Sequence, residues 1–258
     1  MPEGDTIHAL ANRIRGVLQG RVPDEILTPH VRHRFDRWPD ALAGRALRSV
    51  DAHGKHLFLR FDGRLTLHSH LRMTGSWGIH RDGARWKRPP HRAWLVIASG
   101  DWRVVQFDGP VLELLSDSRT RSDPHLASLG QDILGEDFDE GLFLARLRAD
   151  DPTRPIGDAL LNQQTVAGIG NLWKAESCFA VGVDPWRALA DVRDEEALAL
   201  VGFARERMAQ TVREGFTARP RAIYRQAGRP CPRCGATIRR RGQGENNRLT
   251  FWCPGCQS

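Results

Sequence analysis

Four cysteines and one N-terminal proline are the residues whose types and spacing point most directly to chemistry. Cys231-Pro-Arg-Cys234 and Cys253-Pro-Gly-Cys256 are two CxxC pairs, with the stretch from Gly235 to Trp252 between them. That spacing suits a four-cysteine zinc ribbon, in which four thiolates close a tetrahedral structural site with no open position for catalysis. Two disulfides in a secreted domain would be the alternative. The sequence shows no apolar signal core, so a cytoplasmic protein with reduced thiols is expected. At the other end the chain opens Met1-Pro2-Glu3-Gly4-Asp5. The residue after Met1 is small, so removal of Met1 is expected, exposing the secondary amine of Pro2. An α-amino group has a reference pKa of about 8, against about 10 for lysine, so more of it is unprotonated near neutrality. Attack of a ring-held secondary amine on a sugar or carbonyl carbon gives an iminium ion directly. Glu3, its neighbour, can donate or accept a proton.

Three further stretches carry candidate residues. Gly54-Lys55-His56-Leu57 places a lysine at the start of a strand. Gln163 to Asn171 joins two helices through Gly168 and Gly170, with Asn171 where an N-cap belongs. Exposed N–H groups at such a helix start bind anions, including phosphate. Between the cysteine pairs, Glu245-Asn246-Asn247-Arg248 reads as a hairpin tip from which Arg248 projects. Taken singly, each has an ordinary reading: a solvated strand end, a helical hairpin with a capping Asn, a surface Arg. The fifth cysteine, Cys178, lies in an apolar helix and reads as a buried, inert core residue.

Charge distribution narrows the class of partner. The 258-residue chain has a formal net charge of +7 and a pI near 9.8. The segment 219–258 holds nine Arg and one acid, Glu245, whereas the segment 1–218 carries 29 basic and 30 acidic side chains. A basic patch confined to one end is the footprint of a polyanion site, with nucleic acid the expected partner. Cations are almost all Arg. Lys55, Lys87 and Lys174 are the three exceptions, and each raises the question of what Arg could not do there. No run of about 18 apolar residues marks a transmembrane helix.

The elements that must position these residues can be read from periodicity. Ile7, Leu10, Ala11, Ile14 and Leu18 predict a helix over 5–19, capped by Gly4 or Asp5 and ended by Gly20, which would hold Pro2 and Glu3 in place. Strands are predicted at 46–52, 56–61, 64–70, 92–98, 102–107 and 111–115. Turns fall at Asp62-Gly63 and Ser99-Gly100-Asp101. Six short strands after one helix predict an antiparallel β-sandwich or barrel. Residues 116–124 read as a linker ending in a helix start. Beyond it, helices are predicted at 139–149, 155–162, 171–179 and 194–215, and the segment 219–258 returns to short strands. The expected architecture is an α+β multidomain chain. It has an N-terminal helix plus antiparallel β-sandwich over 1–118, a helical domain over 124–218 and a C-terminal zinc module over 219–258.

Taken together these stretches resemble the formamidopyrimidine-DNA glycosylase/endonuclease VIII (Fpg/Nei) family of bifunctional DNA glycosylases. Pro-Glu at the start, Gly-Lys-His before a strand, Gly-Ile-Gly-Asn of a helix–two-turn–helix and a terminal cysteine finger occur in the family's order. The resemblance covers essentially the whole chain. It implies a two-domain body with DNA in the cleft, one structural zinc ion and a monomer acting on damaged DNA. It makes Pro2 the nucleophile, Glu3 the proton donor and Lys55 a contact to the damaged nucleotide's phosphate. Asn171 and Arg248 become grips on the DNA backbone, and Met73, from His70-Leu71-Arg72-Met73, the wedge that fills the vacated stack. Two departures point to a branch. Thr6 stands where the formamidopyrimidine branch has a second Glu. Pro110 is followed by Val111-Leu112-Glu113 and not by a loop supplying Arg and Phe. With the Gly4-Asp5-Thr6 opening, both are similar to actinobacterial endonuclease VIII-like proteins, which implies oxidised pyrimidines as substrates. The rival reading is a non-catalytic zinc-dependent protein that binds damaged DNA. It accounts for the finger and the helical hairpin but not for Pro2, Glu3 and Lys55 together.

Overall fold

The computed structural model describes residues 2–258. The chain divides into two compact units. One comprises Thr6–Ala127 with Pro2, the other Ser128–Ser258 with Glu3–Asp5.

In the first unit, helix α1 (Gly4–Leu18) turns Ile7, Leu10, Ala11, Ile14 and Leu18 inward, as their spacing predicts. Helix α2 (Trp38–Leu42) follows. Eight strands form two antiparallel sheets: β1 (Glu25–Leu27), β2 (Leu47–His53), β3 (His56–Phe61), β4 (Leu65–His70), β5 (Ser76–Arg81), β6 (Ala93–Ser99), β7 (Trp102–Phe107) and β8 (Val111–Ser116). The orders are β1-β6-β7-β5 and β2-β3-β4-β8. Alternation puts Leu57, Leu59, Leu67 and Leu112 of one sheet and Leu95, Ile97 and Val104 of the other into a single core with α1. This is the expected sandwich, with two strands beyond the six expected. β1 is three residues long. That is too short to show a period, and β5 is an edge strand interrupted by Gly78 and half-buried throughout except exposed Arg81, so it lacks the alternation that marks a strand in sequence.

The expected linker at 116–124 is helical before the expected helix start as well: α3 (Asp117–Ser122) runs into α4 (Pro124–Ala127). The outer face of the second sheet explains why. His56, Phe58 and His68 point away from the apolar core yet are only 4–6% exposed. His125 of α4 contacts the His56 ring, with centroids 5.7 Å apart. A sheet face carrying rings needs a cover, and residues 117–127 supply it. Ser116 and Asp123 accept backbone N–H bonds at the two helix starts.

The second unit begins with a two-residue parallel pair, β9 (Gln131–Asp132) and β10 (Val166–Ala167). Its helices are α5 (Glu140–Arg148), α6 (Ile156–Ala159), α7 (Asn171–Val181) and α8 (Asp194–Glu214). α6 is half the length that the pattern over 155–162 suggests. Asn162 accepts from Gln164 N, and the Gln163 amide donates to Leu161 O and Ile169 O. These side-chain bonds compete with helix continuation. The chain ends in a hairpin of β11 (Arg239–Gln243) and β12 (Arg248–Trp252). Ala175 and Phe179 of α7 pack with Ile223, Ile238, Phe251, Cys231 and Cys253, so the finger shares its core with α7. Among the described residues no helix is long and apolar enough to cross a membrane.

Candidate active site and nucleic-acid interface

Glu3 is 2% exposed. Its carboxylate accepts backbone N–H bonds from Gly170 (2.9 Å), Leu172 (2.9 Å) and Trp173 (3.3 Å). These are the donors that the first turn of α7 leaves without intrahelical partners. The anion seated on this helix start is therefore the protein's own Glu3, from the far end of the sequence, and not an external phosphate as the sequence suggested. Three backbone donors thus satisfy the buried carboxylate of Glu3. Pro2, half-buried, immediately precedes it.

Glycine makes this approach possible. A Cβ on Gly170 would overlap the Glu3 carboxyl group, and one on Gly4 would lie 3.0 Å from Gly168 Cα. Gly4 N donates to Gly168 O at 2.9 Å. Gly168 itself has φ 116, a conformation that penalises any side chain. Gln163 secures the turn by accepting from Gly168 N. Asp5 is not the expected cap of α1. It lies in the first turn, fully buried, and takes a bidentate ion pair from Arg219 at 2.7 and 2.8 Å. Residues 3–5 are thus tied down by backbone, carboxylate and ion-pair contacts.

Asn171 is not the N-cap either. Gly170 occupies that position, and Asn171 is the first helical residue, 7% exposed. With the helix start already served by Glu3, the Asn171 amide turns to the finger and donates to Leu249 O at 2.7 Å. Leu249 follows Arg248, which opens β12 beside a turn with Gly244 at φ 68 and Asn247 at φ 45. This is the expected Asn-Asn hairpin tip. Arg248 also lines a polar cavity of about 270 Å³ with Arg154, Asn162, Gln164 and Asn246. Part of the terminal basic charge is committed internally. Arg219 pairs with Asp5, Arg233 lies over Phe179, and Arg241 lies over Trp186.

The four finger cysteines come together as their spacing predicts. All four Sγ atoms lie within 4.8 Å of one another. Cys231 and Cys256 are 3.8 Å apart and Cys234 and Cys253 3.5 Å. A tetrahedron with Zn–S bonds of about 2.3 Å has S···S edges of about 3.8 Å, so the set fits one structural zinc ion. Gly255 belongs to the second knuckle, where a Cβ would press to 3.2 Å from Cys234 Sγ. Cys178 is fully buried, and burial pushes its thiol up to about 12, which makes it the inert residue expected.

Lys55 and Met73 belong to the first unit. Lys55, half-buried, occupies the β2–β3 turn with Gly54 at φ 55. Met73 is 71% exposed in the turn after β4. That turn is shaped by Arg72 at φ 43, whose N–H donates to His70 Nδ1 at 3.2 Å. Behind it lies a histidine cluster that sequence reading missed. His56 faces His70 across the β3–β4 ladder, and His68 faces Glu113 across β4–β8. His56 Nδ1 and His68 Nε2 are 2.9 Å apart, and His68 Nδ1 lies 3.4 Å from Glu113. Burial, reinforced by the neighbouring cations and rings, lowers His56 to about 2 and His70 to about 4. These two rings are neutral at physiological pH. The signal was present in the sequence as His at 56, 68 and 70 within adjacent strands, on the face opposite the leucines.

Comparison with known proteins covers the same ground. Sequence models of the formamidopyrimidine-DNA glycosylase N-terminal domain, its H2TH domain and the zinc finger found in FPG and IleRS match residues 1–110, 129–220 and 228–258. A Streptomyces coelicolor protein named "Probable endonuclease 8 2" is 39% identical, covering 100% of this chain and 94% of its own length. The Mycolicibacterium smegmatis "DNA-(apurinic or apyrimidinic site) lyase Nei2" is 37% identical over 100% and 99%. A solved structure of MutM in complex with DNA containing carbocyclic 8-oxo-G shares the fold, with a TM-score of 0.84 at 24% identity and full coverage of both chains. The chain belongs to the formamidopyrimidine-DNA glycosylase/endonuclease 8 family, alongside the actinobacterial endonuclease 8 proteins.

Proposed function

We propose that this protein is a bifunctional DNA glycosylase and AP lyase of base-excision repair that removes oxidised bases, pyrimidines foremost, and opens the strand at the resulting site. The observation that carries the reading is the anchoring of residues 3–5, which fixes the carboxylate of Glu3, the residue that follows Pro2 in the chain. Nothing in a purely DNA-binding protein requires that arrangement.

In this reading the target nucleotide is flipped from the stack, at a cost of a few kcal/mol that is smallest for damaged bases. The Pro2 nitrogen, freed by removal of Met1, attacks C1′. The N-glycosidic electron pair leaves with the base, which takes up a proton. Glu3 passes a proton to the ring oxygen and so opens the sugar to the iminium. The iminium acidifies C2′–H. Loss of that proton expels the 3′ phosphate, and a second elimination expels the 5′ phosphate, leaving a one-nucleotide gap with phosphate ends. Lys55 holds the damaged nucleotide's phosphate, Asn171 and Arg248 grip the backbone, and Met73 fills the vacated stack. Zinc keeps the hairpin of Arg248 in shape and takes no part in the chemistry.

Borohydride tests the proline directly. Processed protein and an abasic-site duplex should give a covalent, slow-migrating complex, with an intact mass that confirms loss of Met1. An undiminished complex from protein that retains Met1 would overturn the assignment.

A further inference from the structure

In a chain that favours Arg so strongly, Lys174 is a buried lysine with no role in the reading above. It lies in the first turn of α7, and its side chain is fully buried. Its Nζ is 2.5 Å from Thr250 Oγ1 and 3.3 Å from Gln243 Oε1. Both acceptors belong to the finger hairpin, one on each strand. Thr250 Oγ1 donates to Gln243 Oε1 at 2.8 Å, and Gln243 Nε2 donates to Pro185 O at 2.7 Å. The network is closed, and its three side chains are all buried.

No carboxylate is among the hydrogen-bond partners of Lys174 in the described residues. Burial therefore dominates and lowers its pKa to about 8. A buried cation facing neutral acceptors is a poor way to stabilise a fold, since an apolar side chain of similar volume avoids the desolvation cost. What the arrangement does provide is register. Gln243 pairs with Arg248 at the turn end of the hairpin, and Thr250 lies two positions beyond Arg248 on the same strand. One turn of α7 therefore holds the hairpin at two points: Asn171 through Leu249 O and Lys174 through Thr250 and Gln243. Arg248 lies between the residues so held. An ammonium suits this enclosed position better than a planar guanidinium, because its donors radiate from a single point to both strands.

We propose that Lys174 is a positioning residue for DNA binding: it locks the finger hairpin onto α7 in the register that presents Arg248 to the phosphate chain. This rests on the reading of Arg248 as a backbone grip, and the test separates the two. The dissociation constant for a duplex carrying a tetrahydrofuran abasic analogue is measured for wild type, Arg248→Ala, Lys174→Met and the double variant, each with zinc content and melting temperature determined. Lys174→Met should retain zinc and weaken binding about tenfold, while strand cleavage at saturating abasic DNA is nearly unchanged. In the Arg248→Ala background the same change should cost less than about twofold, because the group it positions is gone. Thr250→Val, nearly isosteric, gives the same comparison if Lys174→Met does not fold. Fully additive losses, or an unweakened Lys174 variant beside a weakened Arg248→Ala, would overturn the positioning role. Unchanged binding by Arg248→Ala would overturn the reading beneath it, and the inference with it.

Discussion

Each unit buries polar groups, and the two do it by opposite means. In the sandwich, His56, His68 and His70 lie across neighbouring strands, and desolvation holds all three below the ordinary histidine range. In the helical unit the buried groups are carboxylates satisfied by backbone. Glu3 accepts three N–H bonds from the start of α7. Glu176 accepts three, from Ala222, Ile223 and Tyr224 in the segment after α8. The first kind of burial follows from strand register and is local. The second joins segments far apart in the sequence and fixes the path of the chain. In this way the segment Glu3–Asp5 forms a platform anchored to the helical unit.

The two carboxylates also provide the sharpest test of whether that platform is catalytic. Glu3→Gln should lower base removal by about 10²- to 10⁴-fold, the range for loss of a positioned acid–base group. Cleavage at a ready-made abasic site, where the base is already gone, should suffer less. Glu176→Gln is the matched control. Its carboxyl is already shifted up by burial against its three backbone donors, and the variant should lose stability, about 1–3 kcal/mol for each donor left unsatisfied, with no selective loss of base removal. If Glu176→Gln reproduced the Glu3→Gln profile in rate assays, or if Glu3→Gln depressed both steps equally, Glu3 would be structural only.

Zinc should separate the units next. Chelation or Cys253→Ser should release the β11–β12 hairpin, with Arg248, while the melting of the sandwich stays unchanged. DNA affinity should fall about thirtyfold or more, the effect of losing a charge-assisted contact of about 2 kcal/mol. A zinc-free protein that binds as well as the native one would place the phosphate contacts elsewhere.

The same contrast explains what could be read from sequence. α1, six of the eight strands, α7, α8 and the cysteine site were legible because each rests on a local period or spacing: leucines at helical intervals, alternation across strands, two CxxC pairs. Lys55, read at a strand start, lies in the turn just before it, and Met73 was reached through the family resemblance and not through a local period. The roles of Asp5 and Asn171 were misread because a cap is a local inference, and here distant groups took those places: Arg219 pairs with Asp5, and Glu3 serves the α7 start in place of Asn171. Of the helices covering the histidine face, α3 was missed for a related reason. Residues 116–124 have no apolar face of their own and fold against what the sheet presents. Lys174 was singled out by composition alone, and its partners Gln243 and Thr250 lie on the far side of the α8 helix in the sequence.

Acid should distinguish the units more gently. His56 and His70 have folded pKa values near 2 and 4 against an ordinary 6.5. The unfolded chain therefore binds protons first, and the stability that these groups provide is intact above 6.5 and lost as pH falls toward their folded values. The sandwich should melt at least about 5 °C lower at pH 4.5 than at 6.5, and His56→Leu should flatten that slope. Lys174 follows the same sign in another window. Its folded value near 8 lies below the ordinary 10.5, so the helical unit should gain stability as pH rises from 8 to 10.5, and Lys174→Met should abolish that gain. Calorimetry across pH 4 to 10.5, resolving the two transitions, checks both. A sandwich transition indifferent to pH below 6.5 would mean that the histidines are hydrated.

The smallest expected effect concerns the strand opposite the lesion. An extruded base leaves a hole and an orphaned partner. Family members with an Arg and a Phe on the loop before β8 have groups to fill the one and hold the other. Here β7 ends at Phe107 and β8 begins at Val111, with Asp108, Gly109 and Pro110 between them. Leu112 is buried in the core, and Glu113 faces His68, so neither supplies a cation. Met73 remains to fill the hole. The guanidinium bonded to its turn, Arg88 on Thr74 O at 3.1 Å, is held by Asp108 at 2.5 Å. Lesions in single strands or bubbles have no orphan to hold and a smaller unpairing cost. Excision of one oxidised pyrimidine should therefore differ by no more than about tenfold, about 1.4 kcal/mol, among single strand, bubble and duplex, and by less among the four opposite bases. Time courses on those substrates decide it. Strong duplex preference with sharp opposite-base selectivity would show that the orphan is held after all. Arg88, released from Asp108, would then be the first group to remove: Arg88→Ala should erase the selectivity while leaving single-strand excision intact.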